Sequence, residues 1–176
     1  MKMHVLVVLV AVGLFLPNLS QAAPAARAED VESIDAIMKA VYDVISGEAG
    51  QARDWERFKS LFIGEAQLIP ASKKQDGKGM RYAIMSPDGY VKMSGTRVEE
   101  DGFFEKEVHR VVEEFGPIAH VFSTYEARRS LDDAEPFVRG INSFQLFNDG
   151  KRWWVVSIYW TAERPDLPIP EKYLPK

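Results

Sequence analysis

The C-terminal third of the chain, from Gly116 to Trp160, constrains the fold more than any other part of the sequence. It contains three segments rich in β-branched and aromatic residues: IAHVFSTYEARR, FVRGINSFQLF and RWWVVSIYW. This composition predicts long β-strands, and Asp149-Gly150 between the last two segments strongly favours a tight hairpin. The final strand is so aromatic that other elements must cover its face. The sequence therefore predicts a sheet with helices packed on it.

Two amphipathic segments near the N-terminus can provide these helices. In the first, Asp30 is a candidate N-cap. Apolar residues follow it at helical spacing: Ile34, Ile37, Met38, Val41 and Ile45. In the second, Asp54 can cap a shorter helix. One face of that helix is apolar, with Trp55, Phe58, Leu61 and Phe62.

The middle of the chain is less regular. AQLIPA is a short apolar run that predicts a strand ending at Pro70. MRYAIM and YVKM flank SPDG, whose Pro-Asp-Gly order predicts a turn between two short strands. Thr96 and Glu99 have the spacing of a capping box, so we expect a third short helix through RVEEDGFF.

The segment EKEVHRVVEEF fits either a helix or a strand. Its apolar residues could share a helix face, whereas the valine content and the Gly116-Pro117 break favour a strand paired with the next segment. We favour the strand, because it gives the chain a consistent order of elements. The tail, residues 164–176, is rich in proline and should be extended, lying across the surface or a partner.

Residues 1–23 have the layout of a secretory signal peptide. Lys2 and His4 precede an apolar run from Val5 to Leu16, and the small-residue stretch SQAAPAARA follows. We expect cleavage between residues 22 and 28. The alternative is a membrane anchor, but the run is shorter than the ~20 apolar residues that span a bilayer. We therefore expect a periplasmic or secreted bacterial protein with no stable membrane insertion after cleavage.

Composition limits the partners. The chain has no cysteine, so it must be stable without disulfides. A formal net charge of −4 and the lack of a basic cluster argue against nucleic acid as a partner. No metal-ligand spacing is strong, and no phosphate loop or dinucleotide fingerprint is present. We therefore expect neither a metal nor a cofactor.

The predicted order is helix, helix, short strand, hairpin, helix and then long antiparallel strands, with W…F…LF…A.LIP early and DGKRWWVVSIYW late. On these features residues 29–163 resemble the nuclear transport factor 2-like superfamily, in its SnoaL-like branch. The resemblance implies an α+β cone, in which a strongly curved antiparallel or mixed sheet wraps about three helices around an apolar cavity. It also implies a homodimer formed through the sheet. Members include isomerases, dehydratases, cyclases, hydrolases and noncatalytic binding proteins, so the fold alone does not select a function.

Ketosteroid isomerase is the most informative member for comparison. Its mechanism uses a carboxylate base together with a tyrosine and a protonated aspartic acid. The resemblance places Tyr42 at the tyrosine, but the two acid positions fall near Pro70 or Ala71 and near Ser143. We therefore do not expect steroid-type proton transfer.

The same comparison places Trp160 in the cavity wall. Strand alternation puts Trp154, Val156 and Ile158 on the same side of the last strand, with Ser143 beside them on the neighbouring strand. The predicted ligand-binding residues are Tyr42, Asn142, Ser143, Trp154, Ile158 and Trp160. The alternative is that these side chains form an ordinary core.

A glutamate–histidine pair is the candidate catalytic group. If Gly116-Pro117 forms a two-residue turn, Glu113 faces His120 across the two strands. The carboxylate could then orient the imidazole for acid–base catalysis, with Tyr42 as a hydrogen-bond donor. The alternative is a partly exposed structural ion pair.

Three functions fit these features. The first is an exported protein that binds a small apolar or aromatic ligand inside the cone. The second is a lyase, isomerase or hydrolase of a small carbonyl compound that uses His120, Glu113 and Tyr42. The third is a dimeric protein-interaction module with the proline-rich tail as its docking arm. The aromatic sheet and the missing acids favour the first.

Overall fold

A computed structural model describes residues 25–176 of the protein. The predicted signal peptide, residues 1–23, lies outside the described residues. The helices are α1 (Ala28–Val31), α2 (Ile34–Ile45), α3 (Trp55–Ser60) and α4 (Pro87–Asp101), followed near the C-terminus by a 3₁₀ turn, Glu171–Tyr173. The strands are β1 (Phe62–Lys73), β2 (Met80–Tyr82), β3 (Phe104–Phe115), β4 (Ile118–Arg128), β5 (Val138–Asn148) and β6 (Trp153–Ala162). None of the helices in residues 25–176 combines the length and apolar character needed to cross a bilayer.

The strands form one curved, mixed sheet in the order β2-β1-β6-β5-β4-β3. β1 runs parallel to β6, and every other neighbouring pair is antiparallel. Helices α2 and α3 pack on the inner face, where the core includes Ile37, Phe58, Phe62, Phe144 and Val155, each at most 2% exposed. This architecture confirms the predicted α+β class with a sheet wrapped around helices.

Side-chain caps begin α2 and α3. Asp54 caps α3, as predicted, by accepting a hydrogen bond from the Arg57 amide at 2.9 Å. The cap of α2 is Ser33, which accepts from the Ala36 amide at 3.0 Å. Asp30 instead receives two bonds from the Arg57 guanidinium, at 2.7 and 2.8 Å. The N-cap prediction for Asp30 is therefore wrong, because this carboxylate ties α1 to α3.

The predicted hairpin around SPDG is also wrong. Ser86 caps α4 by accepting from the Gly89 amide at 3.1 Å, and Pro87 occupies the first turn, where its missing N–H costs nothing. The same residues that favour a turn therefore start a helix, which runs on through Thr96. β1 likewise continues past its predicted end, because the Pro70 carbonyl still accepts a bond from the Ala83 amide at 3.3 Å.

The Gly116-Pro117 turn sets the register of β3 and β4 as predicted. Phe115 pairs with Ile118, and Glu113 pairs with His120. On the N-terminal side of His109 the register shifts by one residue, so that Glu107 pairs with Tyr125. The extra residue, Val108, forms a β-bulge that reverses the faces of the residues before it.

A second bulge changes β6. Trp153 and Val155 pair with Asn148 and Leu146, but the register then shifts, and Ser157 pairs with Gln145. Trp153 is therefore buried on the inner face, whereas Trp154 lies on the outer face, its ring 3.6 Å from the Arg152 guanidinium carbon.

The tail lies across the outer face of its own sheet. The Tyr173 carbonyl accepts a bond from the Thr124 hydroxyl at 2.6 Å, and the Tyr173 ring packs on Phe122 with centroids 4.9 Å apart. Ile169 is buried, and its amide donates to Glu163 at 3.0 Å. The tail thus covers part of the outer face.

The bulge in β6 predicts unequal losses of stability when two adjacent tryptophans are replaced. Trp153→Ala removes a buried ring and should lower the free energy of unfolding by about 3–5 kcal/mol. Trp154→Ala removes an outer-face ring and one bond to Asp149, so we expect a loss of about 1 kcal/mol. Urea denaturation of both variants measures the difference. Equal losses, or a larger loss for Trp154→Ala, would contradict the bulged register.

Candidate functional site

A cavity of about 490 Å³ lies between the helices and the inner face of the sheet. Its wall combines α2, α3 and α4 with the inner faces of five strands and the segment around Phe103. Seven of its lining residues are aromatic: Phe58, Tyr90, Phe103, Tyr125, Phe137, Phe144 and Trp160. This size and lining are typical of small-molecule sites, which are mostly apolar with a few placed polar groups.

Glu105 and Asn142 are the main polar groups in the wall. The Asn142 side-chain amide donates to Glu105 Oε1 at 3.1 Å and to the Tyr42 hydroxyl at 3.1 Å. Asn142 is 6% exposed and Tyr42 is 5% exposed, so the aromatic wall shields this part of the network from bulk water.

The network continues behind the wall to the surface. The Tyr42 hydroxyl lies 2.7 Å from Ser123 Oγ, and Ser123 donates to Glu107 Oε2 at 2.5 Å. Arg110 donates to Glu107 Oε1 at 2.5 Å and to Asp35 at 2.8 Å. The chain of bonds therefore joins α2 to β3, β4 and β5.

The apolar surroundings perturb the acidity of the groups in the cavity. Burial raises the pKa of Glu105 from 4.5 to about 7, and the hydrogen bond from Asn142 only partly opposes this rise. Burial, and then the charge of Glu105, raise the pKa of Tyr42, Tyr90 and Tyr125 above the ordinary range. Near neutral pH, Glu105 therefore exchanges its proton while the tyrosines keep theirs.

Two arginines stand at the rim of the cavity and share one carboxylate. Arg97 Nε lies 3.4 Å from Asp101, and Arg129 Nη1 lies 3.5 Å from the same oxygen. Arg129 also packs over the Phe137 ring at 4.2 Å and donates to the Gly102 carbonyl. The two guanidinium groups share one carboxylate, so the rim carries a net positive charge.

The structure places three of the predicted ligand-binding residues in the cavity wall: Asn142, Ile158 and Trp160. Tyr42 lies directly behind the wall and contacts it through Asn142. These four residues therefore belong to one site, although Tyr42 does not face the open space.

The other predicted site residues lie outside the cavity, and their assignment to it is wrong. Ser143 hydrogen-bonds His120 Nε2 at 3.0 Å on the outer face, where Glu113 lies 3.4 Å from His120 Nδ1. Trp154 is also on the outer face, because the bulge at Val156 breaks the simple alternation that placed it with Ile158. The Glu113 side chain is 78% exposed, so the His120–Glu113 contact lies at the protein surface and outside the cavity.

Sequence reasoning missed Glu105. In an unbroken pairing from the Gly116-Pro117 turn, Glu105 would share the outer face with Glu113. The bulge at Val108 turns Glu105 and Glu107 inward instead. The observed register pairs Glu105 with Ala127, which is fully buried on the inner face.

Gly140 allows the Tyr125 ring to reach its place in the wall. Gly140 pairs with Tyr125 across β4 and β5, and a Cβ atom there would lie 2.6 Å from the Tyr125 hydroxyl oxygen. A larger residue would therefore displace the tyrosine.

The site offers hydrogen bonding and proton exchange rather than an assembled metal centre. Among residues 25–176, no three histidine, aspartate or glutamate side chains are arranged to hold a metal ion. A carboxyl group that is half ionised near pH 7 can accept a hydrogen bond in one state and donate one in the other. The cavity can therefore recognise one polar group on an otherwise apolar molecule.

Solved structures share this architecture at low sequence identity. A candidate scytalone dehydratase from Novosphingobium aromaticivorans matches with a TM-score of 0.55 and 14% identity, covering 82% of this chain and 91% of that one. An NTF2-like protein of unknown function from Silicibacter pomeroyi matches with a TM-score of 0.51 and 17% identity, covering 75% and 94%. A cystatin-like fold protein of unknown function from Nostoc punctiforme matches with a TM-score of 0.52 and 11% identity, covering 74% and 87%.

No protein-family model matches the sequence, and no curated protein matches it either. The curved mixed sheet, the helices on its inner face and the structural matches together define the nuclear transport factor 2-like cone fold. The resemblance expected from the sequence is therefore confirmed at the level of the fold, with an aromatic cavity as the candidate site.

The raised pKa of Glu105 predicts a specific pH dependence of stability. The folded state holds this proton more tightly than the unfolded state, so this contribution to stability is complete below about pH 4.5 and is lost as the pH rises through about 7. At about 1.4 kcal/mol per pKa unit, Glu105→Gln should be up to about 3 kcal/mol more stable than the wild type at pH 8. The gain should vanish near pH 4. Urea denaturation across this range measures it.

The matched control is Glu113→Gln, on the exposed outer face. This variant should follow the wild-type profile. A Glu105→Gln profile parallel to the wild type would show that the cavity does not perturb Glu105.

Proposed function

We propose that the protein binds a small, mostly apolar ligand inside the cone, with one polar group of the ligand against Glu105 and Asn142. The observation that carries this proposal is the cavity of about 490 Å³, which has an aromatic wall and a single, partly buried carboxyl–amide pair. A side-chain core without a ligand would be expected to fill such a space, because protein interiors are close-packed.

A second candidate is an enzyme that moves a proton on its ligand. The observation that favours it is the pKa of about 7 for Glu105, which suits a general acid or base at neutral pH. In this version Glu105 takes the acid–base role predicted for His120 and Glu113. Both candidate functions require that a ligand binds in the cavity.

Filling the cavity should abolish binding. Ser94 lines the cavity from α4, and Ser94→Trp would place an indole in the open space. We expect the neutral dye N-phenyl-1-naphthylamine to bind the wild type at one site per chain, and Ser94→Trp to weaken it at least about ten-fold. Fluorescence titration measures both.

Lys92→Trp is the matched control, because Lys92 is exposed on the same helix. It should bind the dye as the wild type does. Equal dye affinity in the wild type and Ser94→Trp would place the dye elsewhere and would remove support for a cavity site.

We also propose that the protein is exported to the periplasm or secreted. The support is the layout of residues 1–23, with a basic start, an apolar run and small residues around the expected cleavage positions 22 to 28. The mass of the chain recovered from a bacterial periplasm tests this. A full-length chain retained in the cytoplasm would contradict it.

The outer face supports a further proposal, a homodimer through the sheet. Phe115, Ile118, Phe147 and Trp154 are successive cross-strand neighbours across β3, β4, β5 and β6. Phe115 is 82% exposed and Ile118 is 57% exposed. The tail covers a different part of this face, around Phe122 and Thr124, so the apolar row stays open to a partner.

Ile118→Lys should therefore shift the protein to a monomer in sedimentation velocity, because a charge in the apolar row would be buried unpaired. Leu131→Lys is the control, since Leu131 is exposed in the loop after β4 and lies outside the row. If Ile118→Lys remained a dimer, or if the wild type were a monomer, the proposed interface would be excluded.

A further inference from the structure

The direction of each hydrogen bond in the site determines what the cavity presents to a ligand. The single hydroxyl proton of Ser123 goes to Glu107, so the Tyr42 hydroxyl donates to Ser123. Tyr42 then accepts from Asn142, whose side-chain amide uses both of its hydrogens, one on Tyr42 and one on Glu105.

Two acceptor oxygens remain for a ligand. Within residues 25–176, neither Glu105 Oε2 nor Asn142 Oδ1 accepts a hydrogen bond. Both oxygens are accessible from the cavity, because Thr161 Oγ1 is the only fully buried side-chain polar atom without a partner in these residues. Both residues line the cavity. The opposite orientation of the Asn142 amide would place its oxygen against the Glu105 carboxylate, which the charge disfavours. A ligand that fits this site must therefore supply hydrogen-bond donors to these two oxygens.

The carboxylate also lacks a countercharge. No arginine, lysine or histidine of the described chain pairs with Glu105, and no such cation contributes to its acidity. Arg110 is engaged by Glu107 and Asp35, and the rim arginines are engaged by Asp101. A partly buried carboxylate without a countercharge is costly, and a cation from the ligand would offset that cost.

The aromatic wall fits a cation as well. Tyr90 and Trp160 stand edge to face with centroids 6.5 Å apart, and Tyr125 lies in the same wall. Aromatic faces attract ammonium groups, and the attraction increases when water is excluded. Carboxylate, amide oxygen and aromatic rings together suit a positively charged group.

We propose that the cavity binds an organic amine, with its ammonium group against Glu105 Oε2 and Asn142 Oδ1 and its apolar body along the aromatic wall. This inference rests on the proposed binding function and names its ligand class. The amine would use the two acceptors that the protein leaves open, and its charge would pair with Glu105.

The proposal predicts how binding changes with pH. The amine needs ionised Glu105, whose pKa is about 7 in the free protein. The ionised fraction falls from about nine-tenths at pH 8 to about one-tenth at pH 6, so the apparent affinity should fall about ten-fold. The other groups that face Glu105 are Tyr42 from α2, Tyr90 from α4 and Tyr125 from β4, and all three remain protonated across this range.

More distant charges complete the surroundings of the site. Glu107 precedes the bulge on the same strand and is paired with Arg110. His120 faces Ser143 on the opposite side of the sheet, and His109 pairs with the outward Thr124. Any contribution of these groups should persist when Glu105 is replaced.

The test compares three ligands of one shape by isothermal titration calorimetry with the purified protein: 4-phenylbutylamine, 4-phenylbutanol and 4-phenylbutanoate. At pH 8 the amine should bind at least about ten-fold more tightly than the alcohol or the acid. Its affinity should fall about ten-fold at pH 6, while that of the alcohol should change much less. Glu105→Gln should lose both the preference and the pH dependence, and Glu113→Gln should keep both.

The remaining outcomes each contradict the inference. Equal affinity for amine and alcohol at pH 8 would show a cavity that does not select a cation, and the tightest binding of the acid would move recognition to Arg97 and Arg129. Failure of all three ligands would overturn it too. In that case, binding of N-phenyl-1-naphthylamine would still support ligand binding in the cavity. If the dye also failed to bind, both the binding function and the preference for an amine would be excluded. The wild-type pH series needs no variant, so the test holds even if Glu105→Gln does not fold.

Discussion

The hydrogen bond between Asn142 and Glu105 is the interaction on which the site depends. It holds a carboxyl group in an apolar, aromatic space, and it connects that group through Tyr42 and Ser123 to the rest of the sheet. Because burial disfavours the charged form, the same contact that positions Glu105 leaves it able to gain or lose a proton near neutral pH. In the proposed binding function, the affinity of the cavity for a charged or neutral ligand depends on this balance.

The rest of the fold supports that contact. The curved sheet provides the aromatic wall, and α2 brings Tyr42 to the far side of Asn142. The 12-residue strand β3 reaches from the exposed Gly116-Pro117 turn to the cavity, so one strand carries both Glu113, which pairs with His120 of β4 at the surface, and the partly buried Glu105. Glu113 and His120 form the acid–base pair that the sequence suggests most readily, but this pair faces away from the cavity.

The elements governed by local chemistry could be predicted from the sequence. Helical spacing identified α2, and Asp54 identified the start of α3. The turns at Gly116-Pro117 and Asp149-Gly150 identified the pairing of β3 with β4 and of β5 with β6. SPDG was misread because Ser, Pro and Asp suit the start of a helix as well as a turn. Which faces the strand residues occupy could not be predicted, since bulges at Val108 and Val156 each reverse the alternation. Glu105 enters the cavity, and Trp154 leaves it, for this reason.

The most direct measurement is an NMR titration of the Glu105 side-chain carboxyl carbon in the free protein, assigned by comparison with Glu105→Gln. We expect a midpoint at about pH 7, because the carboxyl lies in an apolar cavity without a countercharge. A bound organic amine should move this midpoint downward, since a cation favours the ionised form. A midpoint in the ordinary range for glutamate, about 4.3, would contradict the proposed state of Glu105, because it would mean that the carboxyl is solvated or already paired.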